Sequence, residues 1–304
     1  MASQVPVIYE PAPLRTSTNS APTYKPNSGA VYLSAGRYSK SNILQRRFSS
    51  SVLDVYQETF TANPRPTHQF LDVGCGTGDF TQDVLLPRCL PCRRIVGVDS
   101  SQDMIEHARR HSASEKLDFQ LLDICDDVTT FLVEFGHFDR VYSFYCLHWA
   151  EDLGLALKNI ARLMTQTGEC LLVFYASHES VPVWRALARM DRWKKYSEVL
   201  LKFVPKSHDM GKAEQLRFLS SHLKNAGLVP SVLELVRSAT YAGSSEKETL
   251  DTQMGVLPIA QMVPEEQRAQ LLADVTEQVC KVHGPEADKE CYRMYIVMAA
   301  KSRC

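Results

Sequence analysis

"LDVGCGTGDF", residues 71–80, sets glycines at 74, 76 and 78 directly behind a short apolar run. The flanking residues give that loop its neighbours: "QFLDV" reads as a buried strand and "FTQDVLL" opens a helix. A glycine turn between a first strand and its helix clears the main chain to approach a phosphate or a nucleoside. A dinucleotide fingerprint needs G-x-G-x-x-G, whose third glycine lets helix and strand pack closely around a pyrophosphate. The residue at that position is Asp79, so the dinucleotide pattern fails by one residue. A carboxylate there would repel a pyrophosphate, whereas a ligand carrying an ammonium and a sulfonium would accept it.

S-adenosyl-L-methionine is such a ligand, and the chain downstream is arranged to suit one. "RRIVGVDS" is a second buried strand, followed by the short helix "SQDMIEHARRH", which Ser100 or Ser101 is placed to cap. "LDFQLLDI" and "FDRVYSFY" are a third and a fourth strand. The amphipathic "LGLALKNIARLM" then leads through "TQTGECLLVFY" into a fifth. "AGLVPSVLELV" and "CYRMYIVMAAK" add two more, with mostly helical sequence between them. Strand and helix alternating in this way predict a Rossmann-like, doubly wound, seven-stranded and mostly parallel α/β sheet. The helical stretches around 176–215 and 244–285 are expected as additions over its active edge, within one domain spanning 37–304.

In a doubly wound sheet the ligand lies beyond the carboxyl ends of the strands, where strand order reverses. That rule lines up the glycine loop, Asp99, Asp123 and the residues after Tyr142. Asp99, 21 residues past Gly78, is placed to accept hydrogen bonds from ribose hydroxyls. Asp123 is placed to meet the adenine amino group, with Met104 and Ile124 flanking the ring. The candidate cofactor residues are therefore Asp72, Gly74, Gly76, Gly78, Asp99, Ser100, Met104, Asp123 and Ile124. A strand-ending Asp is also a common helix cap, and Met104 and Ile124 serve equally well as core.

Composition excludes several function classes. The chain has 304 residues, a net charge of -1 and 44% hydrophobic residues. That balance argues against a sequence-independent grip on nucleic acid or an anionic membrane, both of which need clustered Lys and Arg. The pairs Arg46–Arg47 and Lys194–Lys195 read as solvated helix faces. No apolar stretch approaches the roughly 20 residues that span a bilayer. Nine cysteines, mostly inside apolar runs, fit free thiols in a reducing compartment, and the expected location is cytoplasmic. Cys89 and Cys92 form an isolated C-x-x-C that carries no metal expectation. Residues 1–36 are rich in Pro, Ser, Thr and Ala without period and read as a disordered tail. Its alternative reading is a transit peptide, since the first fifty residues hold only Glu10 against six Lys and Arg.

"DVGCGTGDF", "IVGVDSSQDMIEHAR", "LDICDD" and "FDRVYSFYCLHW" together resemble the class I S-adenosylmethionine-dependent methyltransferases. Within that class the chain is similar to the juvenile hormone acid O-methyltransferases of arthropods. "YSKSNILQRR" (38–47), "FYCLHWAEDLGLALKNIARLMTQTGECLLVF" (144–174) and "VWRALARMDRWKKY" (183–196) carry that closer match, which covers about residues 37–300. The glycine motif speaks for the cofactor; "SNILQ" and "LHW" speak for the acceptor. The resemblance implies that Gln45 and Trp149 hold a substrate carboxylate, with Tyr145 and His148 as further substrate contacts.

Elementary chemistry agrees with that assignment. A carboxylic acid with a pKa of about 4 to 5 is already ionised at neutral pH and needs no general base, only alignment and relief from water. The Gln45 amide and the Trp149 indole are neutral donors that orient a carboxylate without over-stabilising its charge. No metal is required. Phe144, Tyr145, Val183, Trp184, Met190 and Trp193 would line an apolar slot for a hydrophobic acid, and at helical spacing they read equally as ordinary core. The resemblance implies farnesoic acid or juvenile hormone acid as substrate. The alternatives are another small acid, hydroxyl or amine acceptor, or an inactive cofactor-binding homologue.

Overall fold

The computed structural model describes residues 35–237, 245–283 and 292–302. All of them belong to one compact unit, Val31–Cys304. The tail expected over 1–36 lies outside the described residues except for its last two, as do positions 244, 284 and 285 of the second helical addition.

Seven strands form one sheet: β1 (Gln69–Val73), β2 (Arg94–Asp99), β3 (Leu117–Leu121), β4 (Phe138–Phe144), β5 (Met164–Ser177), β6 (Leu228–Arg237) and β7 (Arg293–Lys301). Their order is β3-β2-β1-β4-β5-β7-β6. The pairings from β3 to β5 are parallel, and β7 runs antiparallel to both β5 and β6. Every residue of β1 is buried, as a strand covered on both faces requires. The expected sheet is therefore the observed one. Its order reverses between β1 and β4, which places a crevice beyond their carboxyl ends.

Helices α1 (Ala35–Ser41), α2 (Ile43–Tyr56), α3 (Leu86–Cys89) and α4 (Gln102–His111) precede β3 in the chain. Helices α5 (Thr129–Phe135), α6 (Leu153–Leu163), α7 (Val181–Arg189), α8 (Ser197–Lys202) and α9 (Lys212–Asn225) lie between β3 and β6; α10 (Glu246–Gly255) and α11 (Glu265–His283) lie between β6 and β7. Period-2 alternation sorts the strand side chains onto two faces. Leu71 and Val73 share one core with Phe131, Leu157, Ile160 and Leu219, while Phe70 and Ile95 share the other with Leu53, Leu85 and Ile105.

A third core belongs to the helical additions, where Val183, Trp184 and Trp193 pack with Val256, Leu257, Ile259 and Val275. This settles the two readings of those aromatics. Trp193 is fully buried and its indole N–H donates to Asp274 Oδ2 at 2.7 Å, so it holds the additions together instead of lining a slot.

Some local details also differ from expectation. The helix after the glycine loop opens with a wide π turn over Thr81–Leu85, a feature that recurs at functional sites. Of the two serines placed to cap α4, Ser101 does so, as expected, by accepting from the Met104 N–H. Strand β3 stops at Leu121, leaving Asp123 in the loop beyond it.

Candidate active site

The glycine loop is shaped by what presses against it. Gly74 has φ +77°, and a Cβ there would penetrate the side chain of Cys146, which arrives from the end of β4. Gly78 has φ +76°, and its Cβ would sit 2.8 Å from the Phe119 ring. Gly74 thus keeps the crevice floor bare, and Gly78 lets the loop dock on β3. Gly74 and Cys75 both donate their N–H groups to Val98 O, at 2.7 and 3.0 Å, tying the loop to β2.

Two carboxylates sit beneath it. Asp99 accepts from Gly76 N–H at 3.0 Å and Ser101 N–H at 2.9 Å, so it is anchored by main chain and has lone pairs left for further donors. Burial pushes its pKa up, against those two hydrogen bonds. Asp72 accepts from Thr81 Oγ1 at 2.6 Å, Thr81 being the first residue of the π turn. Burial pushes Asp72 up to about 7, with Thr81 opposing and Asp99 adding to the shift. A buried acid this close to neutrality suits a cationic ligand that would pull it back to the charged form.

Two adjoining cavities open above. The larger, about 610 Å³, has Gly74, Gly76, Asp99, Ser100 and Met104 on one wall and Gln45, Tyr145, Trp149 and Val256 on the other. The smaller, about 390 Å³, runs from Asp72, Gly74 and Cys75 to Gln45, Phe144 and Tyr145. The chain thereby brings together most of the expected site residues, cofactor and acceptor sets alike. Gly78, Asp123, Ile124 and His148 do not line either cavity. Asp123 is half-buried and accepts from Cys125 N–H at 2.9 Å, while Ile124 is buried and its carbonyl accepts from Asn159. His148 packs behind Trp149 with ring centroids 5.1 Å apart, and burial pulls its pKa down to about 3, so it is neutral and supplies no cation.

The wall that carries the expected acceptor residues is made of side chains from distant segments. Gln45 is buried on α2, and the Tyr38 hydroxyl donates to its Oε1 at 2.9 Å. Its amide N–H groups have no partner among the described residues. Trp149 closes a short 3₁₀ turn, Leu147–Trp149, after β4, and its ring rests against Trp184 and Phe203. Its indole N–H likewise has no partner among the described residues. Tyr145 holds the left-handed φ of 53°, unusual for an aromatic residue, and is braced by its N–H on Val173 O at 2.8 Å.

Asp79 and Arg46 depart from the sequence reading. Arg46 is not a solvated helix residue: it pairs with Asp79, and its other guanidinium nitrogen donates to Asp83 at 3.1 Å. Asn42 donates to the same Asp79 carboxylate at 3.1 Å, and Thr77 Oγ1 donates as well. Burial alone would raise Asp79, but these hydrogen bonds and the Arg46 charge hold it below the usual carboxylate range. Its charge is already matched within the chain, so it latches α2 to the loop and leaves Asp72 and Asp99 to face a cationic ligand. Sequence reasoning missed Tyr38, Asn42 and the latch. The available signal was the spacing of Tyr38, Asn42, Gln45 and Arg46, which share one helical face.

Residues 70–168 match the family described as a methyltransferase domain. The chain is 31% identical to the juvenile hormone acid O-methyltransferase of Drosophila melanogaster over 254 residues, covering 82% of this chain and 83% of that protein. It is 32% identical to the Bombyx mori protein of the same name over 175 residues, covering 58% and 62%. Among solved structures, the cyclase SpnF superposes with a TM-score of 0.54 at 20% identity, over 85% of this chain and 82% of that one; this likeness concerns the fold alone. No helix among the described residues is long and apolar enough to cross a membrane. The glycine cradle, the anchored Asp99 and the near-neutral Asp72 fit S-adenosyl-L-methionine as cofactor. The chain belongs to the class I S-adenosylmethionine-dependent methyltransferases, in the carboxyl O-methyltransferase family that includes the juvenile hormone acid O-methyltransferases.

Proposed function

We propose that this enzyme converts a hydrophobic isoprenoid acid, of the farnesoic or juvenile hormone acid type, to its neutral methyl ester. One observation carries the reading: the Gln45 amide and the Trp149 indole, two neutral donors, both border the cleft that contains the glycine loop, and neither has its N–H engaged within the described residues. When bound, the cofactor supplies a methyl group on a cationic sulfonium.

Gln45 and Trp149 grip the two oxygens of an ionised acid and aim one of them at that methyl. Attack of an anion on a sulfonium cancels charge, so a guanidinium on the carboxylate would hold the nucleophile in its ground state. Neutral donors orient it at a smaller cost. Orientation and partial desolvation of this kind supply several kcal/mol of the barrier, about 7 at the lower end for well-aligned intramolecular reactions. The Phe144, Tyr145 and Val256 side chains give the cleft apolar walls, and each methylene buried against them contributes about 0.8 kcal/mol. We place the enzyme in the cytoplasm, a reading supported by the free thiols of Cys75, Cys89, Cys92, Cys125, Cys146 and Cys170.

The test is methyl transfer from labelled S-adenosylmethionine to farnesoic acid, a saturated fatty acid of similar length and a small polar dicarboxylic acid. Selective ester formation from farnesoic acid is expected. Trp149→Phe should reduce kcat/KM about tenfold or more, the worth of one hydrogen bond to a charged group. A preference for the dicarboxylate would transfer the reading to a polar acceptor. Cofactor binding without ester from any acid would end it.

A further inference from the structure

A primary amide has an accepting end and a donating end, and only the donating end suits a carboxylate. Turned through half a rotation, Gln45 would present its carbonyl oxygen to the substrate anion and repel it. Something must decide between the two, and the cleft holds one group placed to do so.

Tyr38 precedes Gln45 by seven residues, two turns of helix. Helices α1 and α2 are nearly continuous at their junction: Asn42 N–H donates to Tyr38 O at 3.0 Å, and Arg46 N–H donates to Asn42 O at 2.9 Å. Tyr38 and Gln45 therefore share a face, and the phenol reaches the amide at 2.9 Å. The hydroxyl is the donor, so it engages Oε1 and leaves the amide N–H groups for the cleft.

The phenol is itself held from several directions. Its ring edge lies 3.4 Å from where a Cβ on Gly76 would stand. Helix α1 is tied to α4 by Ala35 N–H on Asp103 at 2.8 Å, and to α10 by Thr252 Oγ1 on Ser41 O at 3.2 Å. Burial, together with the charges of Asp79 and Asp99, keeps the phenol protonated, so its hydroxyl has the proton that it donates to Oε1.

We propose that Tyr38 is the positioning residue of the acceptor site: its hydroxyl locks the Gln45 carbonyl so that the amide N–H groups face the carboxylate. Its ring, seated on the cofactor loop, makes that orientation depend on an ordered loop. The inference rests on Gln45 as a carboxylate donor, and the experiment separates the two.

Tyr38→Phe, Gln45→Ala and the double variant are compared in the full chain, with steady-state kinetics on farnesoic acid and calorimetric binding of both farnesoic acid and S-adenosylmethionine. Tyr38→Phe is expected to weaken farnesoic acid binding and kcat/KM about tenfold, with the S-adenosylmethionine Kd within about twofold of the parent. In the Gln45→Ala background the same change is expected to do nothing further, because there is no carbonyl left to lock. Losses that multiply in the double variant would overturn the proposal, as would Tyr38→Phe behaving like the parent while Gln45→Ala fails. A loss confined to S-adenosylmethionine affinity would make Tyr38 a cofactor contact and overturn it too. If Gln45→Ala binds and turns over farnesoic acid normally, or if the parent does not bind that acid, the carboxylate reading falls and takes this inference with it.

Discussion

The two sides of the cleft are built from different material. On the cofactor side the geometry is main chain: Gly74 and Cys75 bonded to β2, and Gly76 and Ser101 N–H groups on Asp99. On the acceptor side it is side chains, with Gln45 from α2, Trp149 from beyond β4 and Val256 from just past α10. The first arrangement is local in sequence and has no room to vary. The second depends on three separate segments meeting, and each can change without disturbing the sheet. A fixed methyl-donor site on the rigid wall and a selectable acceptor on the composite one is what this division allows.

If the cofactor wall is as inflexible as this, a single methyl should break it. Gly74→Ala imposes a left-handed backbone on an L residue, costing roughly 1–2 kcal/mol. Its Cβ must also displace Cys146, an overpacking cost of about 1–3 kcal/mol. The variant should lose thermal stability and show no calorimetric binding of S-adenosylmethionine. Retention of normal cofactor affinity would mean that the floor of the crevice yields, and the contrast between the two walls would lose its basis.

A smaller effect sharpens the electrostatic side of the contrast. Asp72 sits at about 7 in the free protein because burial disfavours its charge. A cationic ligand favours the ionised form, so below that pH binding must release a proton. Affinity for S-adenosylmethionine should therefore rise with pH, by up to about tenfold per unit, and level off above about 7. Calorimetry in two buffers of different ionisation enthalpy would count the proton released. Asp72→Asn should flatten the profile. The same shift acts on folding: the raised pKa favours the folded state at low pH, and that contribution falls as pH rises from the unfolded value of 3.8 to about 7.

The difference between the walls also explains what could be read in advance. All seven strands were legible as apolar or β-branched runs, the central parallel ones because burial on both faces makes them near-continuous, and the loop was legible because positive φ selects glycine. Helix α5, "TTFLVEF", carries β-branched and aromatic residues over seven positions and shows no clear helical period. Asp123 was assigned to a strand end from the run "LDFQLLDI", but the ladder with β2 ends at Leu121 opposite Asp99. Trp193 has the same spacing whether it lines a slot or fills a core, and the position of Asp274, far along the chain, decides. Arg46 next to Arg47 looks solvated until Asp79, 33 residues away, is folded against it.

That pair is a charged link between the two walls, beside the Tyr38 ring on Gly76, since Asp79 belongs to the glycine loop and Arg46 follows Gln45. Its side chains are 25% and 29% exposed, so the contact is partly screened and is worth about 1 kcal/mol or less. Asp79→Asn keeps one oxygen to accept from Thr77 or Asn42, removes the charge and turns the other acceptor into a donor. If the walls are independent, this change in the loop should leave the acceptor KM untouched. If the latch transmits the loop's position to Gln45, the acceptor KM should rise by up to about fivefold while the S-adenosylmethionine Kd stays put. An electrostatic latch must also weaken in salt, so the parent should approach the variant as ionic strength rises toward about 1 M, where the screening length falls to about 3 Å. A parent-to-variant ratio that ignores salt would assign the effect to lost hydrogen-bond geometry, and the two walls would then be joined by shape alone.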